Sequence, residues 1–420
     1  MNVLIVTNHF WPENFRVNDL AVGLVERGHQ VSVITGVPNY PEGRFFPGYG
    51  IFKKLKEEYR GVRIRRIPLV PRGSGSSLWL MINYLTSAVS FCLHAPFVCR
   101  EKYDVIFVFE TSPATIGLPA VLLKKLRKTP VVFWVLDLWP ESISATGALS
   151  NSLVLKSVSG LMRWIYKNCD RILASSKGFE SNICKVLGYE RQVDYFPNWV
   201  EPEPEIGLQE TQNLSLPTLP EGFRVIFTGN VGAAQDFETI LEAASLLKNQ
   251  TDLQWIIVGD GRRLEWVRDE VKRRNLEKCV HCLGRYPSHA MPWFYAKADL
   301  LLMPLKDEPI FRLTAPGKLQ SYMASGRPIL ASLNGEGESL VRDAACGMCA
   351  RASDPKSLAD TLVKLKNLSA SERNQMGENG KRYSEEHFCR SMLFDRVENV
   401  LKDVVLQSKQ NRKRLKVDEQ

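Results

Sequence analysis

Lys318 stands in the stretch 314–328, TAPGKLQSYMASGRP, where a cation, a glycine and a proline precede a short apolar repeat. Pro316 suits the first turn of a helix, Leu319, Tyr322 and Met323 recur at helical spacing, and Gly326 with Pro328 ends the run. A helix N-terminus offers free N–H groups and positive dipole, which suit a diphosphate, and Lys318 adds a mobile charge. The alternative is a turn whose Gly317 and Pro316 only shape the backbone. Two glycine turns offer similar chemistry: Gly229-Asn230-Val231-Gly232 and Gly259-Asp260-Gly261. Neither is a dinucleotide fingerprint, and no Walker sequence occurs, so a dehydrogenase or P-loop NTPase is poorly supported. Asp137 opens DLWPES, a carboxylate after an apolar run, suited to catalytic or acceptor chemistry or to capping a helix that Pro140 could start. His9, Glu13, Asn14 and Arg16 gather in NHFWPENFR, where the alternative is that Trp11 and Phe15 pack as a lid and the charges face water.

These groups need mounts, and the pattern supplies them. Val3 to Thr7, HQVSVIT, Val62 to Pro68, Val105 to Glu110, PVVFWVLD and CDRILASS are apolar runs of parallel-strand length, separated by helical patterns. RVIFTG, LQWIIVG, CVHCLG, ADLLLMPL and RPILASL repeat the alternation in the second half. Two α/β series in tandem place NHFWPENFR, Asp137, both glycine turns and the Lys318 turn beyond strand ends, where open parallel sheets bind ligands. Between the series, 197–222 is rich in proline and acidic residues and poor in core formers, which marks a boundary.

Composition narrows the class. The chain has 420 residues, 44% hydrophobic and 24% charged, enough for two cores. A net charge of +9 fits anionic ligands or acidic lipid better than nucleic acid, because no recognition module accompanies it. The nine cysteines are read as scattered, reduced, mostly buried thiols, and no metal site is expected. The first residues lack a signal-peptide pattern and read as a strand in a cytoplasmic protein. Leu78 to Val98 is uncharged and near the length that spans a bilayer. Asn83, Ser87, Ser90 and His94 put a polar stripe on it, so it reads as a helix on a membrane surface or lining a lipid groove, or as a core helix. The basic tail KQNRKRLK reads as a solvated end or a patch for acidic lipid.

Taken in order, GHQVSVIT, FPNWV, FTGNVGAAQDFETILEAA, IIVGDG, CLGRY, ADLLLMP and YMASGRPIL resemble family 4 of the retaining glycosyltransferases. NHFWPENFRVNDLAVGLVERGH, VPNYPEG, DLWPES and GKLQSYMASGRPIL are similar to its branch building bacterial O-antigen and capsule, including N-acetyl-L-fucosamine transferases and colanic acid enzymes. The resemblance implies the GT-B fold: two Rossmann-like parallel-sheet domains facing across a cleft. Its expected spans are 1–198 for the acceptor-side domain, 199–222 for the linker and 223–385 for the nucleotide-sugar domain. A helix at 386–408 would cross back to the first domain, ahead of the tail at 409–420. The resemblance further implies retaining transfer from a nucleotide diphosphate sugar, usually UDP-linked, without metal or cofactor. The acceptor would be a polyprenyl diphosphate-linked saccharide at the inner face of the cell membrane.

The chain departs from the family in places that matter. The family's Glu pair, seven residues apart, falls at Leu313 and Ser321, so Glu308 and Glu336 become the candidates for donor-side carboxylates. The family's phosphate-holding Arg and Lys fall at Asn230 and Gln235, which leaves Lys318 and Arg285 to compensate the leaving group. The expected site therefore holds Asp137 and Glu308 as catalytic. Gly229, Asn230, Gly232, Gly259, Asp260, Gly261, Arg285, Gly317, Lys318, Ser321 and Glu336 would bind the donor, and His9, Glu13, Asn14 and Arg16 the acceptor. A non-catalytic sugar-nucleotide-binding protein of the same fold remains an alternative, as does an epimerase or phosphorylase.

Overall fold

The computed structural model describes residues 1–73, 77–145, 151–200 and 216–418. They form two units, Met1–Pro197 with the chain from Ser391 onward, and Asn198–Arg390. Each is built on a sheet whose central strands are apolar, as strands buried on both faces must be.

In the first unit the strands are β1 (Asn2–Val6), β2 (Gln30–Gly36), β3 (Lys56–Tyr59), β4 (Val62–Ile67), β5 (Val105–Phe109), β6 (Val131–Val135), β7 (Arg171–Ala174) and β8 (Asp194–Tyr195). Their order is β3-β4-β2-β1-β5-β6-β7-β8, parallel except for the antiparallel β3–β4 pair. The strand β3 is absent from the sequence reading. KEEY has no apolar alternation, and it forms only because Arg60 and Gly61, both at positive φ, turn the chain back on itself.

The second unit contains β9 (Phe223–Thr228), β10 (Leu253–Val258), β11 (Val280–Gly284), β12 (Leu300–Pro304), β13 (Ile329–Ser332) and β14 (Gly347–Ala350), all parallel, in the order β11-β10-β9-β12-β13-β14. Successive residues feed opposite cores. Val225, Phe227, Trp255 and Ile257 lie in one, and Ile226, Ile256 and Val258 in the other. In both units the order reverses beside one central strand, at β1/β5 and at β9/β12. Parallel sheets open a crevice at such points.

Three elements differ from the sequence reading. The helix expected from Pro316 starts only at Leu319 and ends at Ala324, so Pro316 lies in the turn before it. The helix expected from Ala114 opens as a 3-10 turn, Ala114–Ile116, before Gly117–Arg127. The basic tail is no solvated coil: one helix runs from Arg390 to Asp418. It lies on the first unit, where Leu393, Phe394, Val397, Leu401 and Val404 are buried. His29 meets Glu398 at 3.2 Å, and Arg27 meets Asp395 at 3.2 Å. Most of the linker reading, 201–215, lies outside the described residues.

Candidate active site

The second unit gathers most of the donor-side residues at one sheet edge. Gly229 leaves β9 and donates its N–H to Val258 O at 2.8 Å, and Gly259 leaves β10 and donates to Gly284 O at 2.8 Å. The N–H of Val231 reaches Asp260 O at 2.8 Å. The two glycine turns and the CLGRY turn are therefore laced together by backbone. Side chains are excluded: a Cβ on Gly259, at φ +150°, would stand 1.8 Å from Gly229 O. Gln235 Oε1 accepts from Gly232 N at 3.1 Å and orders the first turn. The Asp260 carboxylate accepts from Gly261 N at 2.7 Å and is otherwise exposed.

Lys318 reaches into this edge from the turn before helix Leu319–Ala324. Its Nζ donates to Thr228 O at 2.8 Å and lies 4.3 Å from the Phe227 ring centroid. A Cβ on Gly229 would come within 2.4 Å of that nitrogen, so the glycine also makes room for the lysine. Burial pushes the Lys318 ammonium down to about 8. Tyr322, one turn on and fully buried, accepts from Thr228 N at 2.9 Å and fixes the strand end. The cation is thus held by a carbonyl dipole and a ring face, with no carboxylate among its described contacts. That arrangement suits an anion.

The remaining donor-side candidates lie along the same sheet. Arg285 is exposed just past Gly284. Glu308 supplies the backbone start of helix Pro309–Arg312, and its side chain makes no cap. Glu336 begins helix Glu336–Asp343 directly after Gly335, whose Cβ position would be 2.0 Å from Arg312 O. The turns bearing Glu308 and Glu336 therefore pack together. Asp307, which the sequence reading passed over, holds Arg312 with both carboxylate oxygens at 2.8 and 3.0 Å and takes Asn334 Nδ2 at 3.0 Å. Gly317 and Ser321 flank Lys318, both partly buried.

In the first unit the structure separates the candidates. Glu13 is buried and committed to the backbone. Its Oε1 accepts from Asn39 N at 2.8 Å and Tyr40 N at 2.6 Å, while His9 Nδ1 lies 2.9 Å from Oε2. His9 stacks on Phe15 at 4.8 Å, and Trp11 on Tyr59 at 4.2 Å. Trp11 and Phe15 thus pack, and Glu13 and His9 organise the loop rather than offering free groups to an acceptor. Asn14 stays exposed, and Arg16 is partly buried at the start of helix Arg16–Glu26.

Asp137 sits just past β6 in a polar nest. Its Oδ2 accepts from Ser112 Oγ at 2.9 Å and Trp139 Nε1 at 3.3 Å, and its Oδ1 accepts from Ser142 Oγ. Burial nevertheless raises its carboxyl above the usual range, against these donors. Beside it lies Glu110, the residue after β5, fully buried and read from the sequence only as the end of a strand. Its Oε2 accepts from Leu136 N at 2.8 Å and Asp137 N at 3.2 Å. Its Oε1 has no hydrogen-bond partner among the described residues. Burial first, and Asp137 second, hold its carboxyl well above the ordinary range. The signal was available: VIFVFE is an apolar strand ending in a carboxylate, the same pattern that singles out Asp137.

Two spacings escaped the reading of scattered cysteines, Cys279/Cys282 and Cys346/Cys349. All four are free thiols pushed up by burial, which leaves them poor nucleophiles and ligands. Among the described residues no group of His, Cys, Asp and Glu could hold a metal ion.

The comparisons give a family to the two doubly wound sheets and to the partly buried cation and glycine turns at the second one's switch point. Residues 14–199 match the family described as "Glycosyl transferase 4-like domain", and residues 222–367 the one described as "Glycosyl transferases group 1". The chain is a glycosyltransferase of the GT-B type. It is 27% identical over 291 residues to the probable glycosyltransferase WbjE of Pseudomonas aeruginosa, covering 67% of this chain and 71% of that protein. It is 24% identical over 292 residues to the putative colanic acid biosynthesis glycosyl transferase WcaI of Escherichia coli, covering 66% and 71%. Its fold is shared with sucrose-phosphate synthase of Thermosynechococcus elongatus, with a TM-score of 0.71, 17% identity and coverage of 96% and 99%.

Proposed function

We propose that this glycosyltransferase moves a sugar, with retention and without metal, from a UDP-sugar to a polyprenyl diphosphate-linked saccharide in surface polysaccharide synthesis. The observation that carries the reading is Lys318. A half-buried ammonium with only a carbonyl and a ring among its described contacts lies at the rim of three glycine-shaped strand exits, and a departing diphosphate supplies the charge it lacks. The N–H groups of Gly229, Val231, Gly232, Gly259 and Gly261 are taken up within the turns, so what these glycines supply is a rim clear of side chains beside the lysine. Asp137 is the candidate to orient the acceptor hydroxyl, and the departing phosphate takes its proton. Glu308, Glu336 and Arg285 complete the donor side. The likeness to a colanic acid enzyme supports an O-antigen or capsule setting, and N-acetyl-L-fucosamine is the first sugar to test. The exposed apolar side of helix Ser77–Val98 supports a peripheral place on the inner membrane face, where such acceptors lie.

Incubation with UDP-, GDP- and dTDP-sugars and extracted lipid-linked acceptors, with and without EDTA, tests this. UDP release that needs acceptor, survives EDTA and gives an α-linked product from an α-linked donor is expected. Release from GDP- or dTDP-sugars alone would overturn the donor. Leu313 and Ser321, at the places of the family's Glu pair, favour the second reading, a protein that binds sugar nucleotide without turnover; binding with no product from any acceptor would establish it.

A further inference from the structure

Three helices lie side by side on the first unit: Ser77–Val98, Gly117–Arg127 and Ser152–Asn168, the middle one packed against both others. The first is turned opposite to what a soluble amphipathic helix requires. Asn83 and Ser87 point inward, donating to Val70 O at 2.6 Å and to Asn8 Oδ1 at 3.4 Å. Leu85, Val89, Leu93 and Phe97 point outward, 60%, 58%, 62% and 67% exposed. Together with Met81 they recur every fourth residue, which draws one stripe along the helix.

The neighbouring helices carry the charge. None of the three contains an Asp or Glu, while Lys124, Lys125, Arg127, Lys156, Arg163 and Lys167 lie on the second and third. Of these, Lys124 is paired with Asp170 at 2.7 Å. The other five are exposed. The stripe and the cations are continuous: Arg127 donates to Pro96 O at 3.2 Å, and Lys125 lies 4.8 Å from the ring centroid of Trp164, itself partly exposed.

We propose that this three-helix face docks on a bilayer carrying anionic lipid, with the Met81–Phe97 stripe entering the headgroup region and the cations of the two neighbouring helices meeting lipid phosphates. The apolar stripe alone would suit several partners. A flank whose helices carry cations and no acid selects among them, because a second copy of this face would oppose like charges and a neutral surface would leave them uncompensated. Apolar insertion and charge attraction are each weak, and stable binding takes both. The inference builds on the lipid-linked acceptor reading and adds the lipid class and the second and third helices.

The test is flotation of the full chain with vesicles of phosphatidylcholine alone and of phosphatidylcholine with phosphatidylglycerol, at low and high salt, without acceptor. Binding to the anionic vesicles, weakened by salt, is expected. At about fivefold per cation, the charge variant Lys125→Gln/Lys156→Gln/Lys167→Gln should lose roughly a hundredfold. The variant Leu85→Gln/Leu93→Gln should also lose binding while its melting temperature and UDP affinity hold. If the apolar variant unfolds, the charge variant alone decides. Equal binding to neutral vesicles, binding untouched by the charge variant, or a dimer that the apolar variant dissolves would each overturn the proposal. Transfer in detergent without vesicle binding defeats docking and leaves the enzyme reading standing; docking with no transfer does the reverse.

Discussion

Lys318 holds its proton weakly, at about 8, because burial disfavours the ammonium and no carboxylate offsets it. A diphosphate would restore the charge, so binding takes up a proton near that value. UDP affinity measured by calorimetry should therefore be flat below it and fall about tenfold between pH 7 and pH 9. Lys318→Ala should flatten that dependence and cut turnover by about two orders of magnitude or more; turnover within a few-fold would remove the residue from the site. Asp137→Asn should slow transfer strongly and leave UDP affinity intact. A collapse of donor affinity would instead make Asp137 part of the donor site or a structural cap. Glu110 has the opposite sign from a salt-bridged acid. Its folded carboxyl keeps the proton that the unfolded chain releases near 4.5, so its contribution is full below that value and is lost as pH rises toward the raised folded one. Glu110→Gln keeps an acceptor for Leu136 and Asp137 and removes that loss, so its melting temperature should gain on wild type from pH 5 to pH 8. At this scale the sequence displayed cations and carboxylates but not their company. Asp137 and Glu13 look alike in a string, and only the fold shows one nested among hydroxyls and the other bound to Asn39 and Tyr40.

At the scale of elements, the strands of both sheets were readable because burial on two faces demands apolar runs, and VIFVF, VVFWV and LQWIIV admit little else. β3 was not, nor was the start of the short helix, which was expected from Pro316 and begins at Leu319. Each depends on a partner elsewhere: β3 on the Arg60-Gly61 reversal against β4, and the short helix on Tyr322 anchoring at Thr228. Helix Ser77–Val98 shows how periodicity gives a stripe without a direction. The polar positions were visible, but whether they meet water or protein was settled by Val70 O and Asn8. Its outward residues add little to folding, so Leu85→Gln, Val89→Gln and Leu93→Gln should each change unfolding free energy by only about 0.5 kcal/mol. Asn83→Leu, which strands Val70 O, should cost about 1–3 kcal/mol. Denaturant titration checks both.

For the whole molecule, the alternation of strands and helices announced two parallel sheets, and the proline-rich stretch marked where one ends. What composition could not announce is that the helix Arg390–Asp418 belongs with the first sheet. Its Leu393, Phe394, Val397 and Leu401 are apolar at helical spacing, but nothing local names the surface they cover. A chain ending at Arg390 should lose the cover over the Arg27–His29 corner and its first unit should melt earlier than in the full protein. Adding residues 391–418 as a peptide should recover part of that loss, and differential scanning calorimetry would separate the two units' transitions.

The same connectivity bears on how the protein is born. A ribosome delivers the first 197 residues early, yet the helix that completes their unit leaves the exit tunnel only after the entire second unit. Through most of synthesis the nascent first unit is one piece short, so it must wait, half-finished, while a later part of the message is read. The second unit, being continuous, has no such delay and can finish first, which reverses the order in which the two were written.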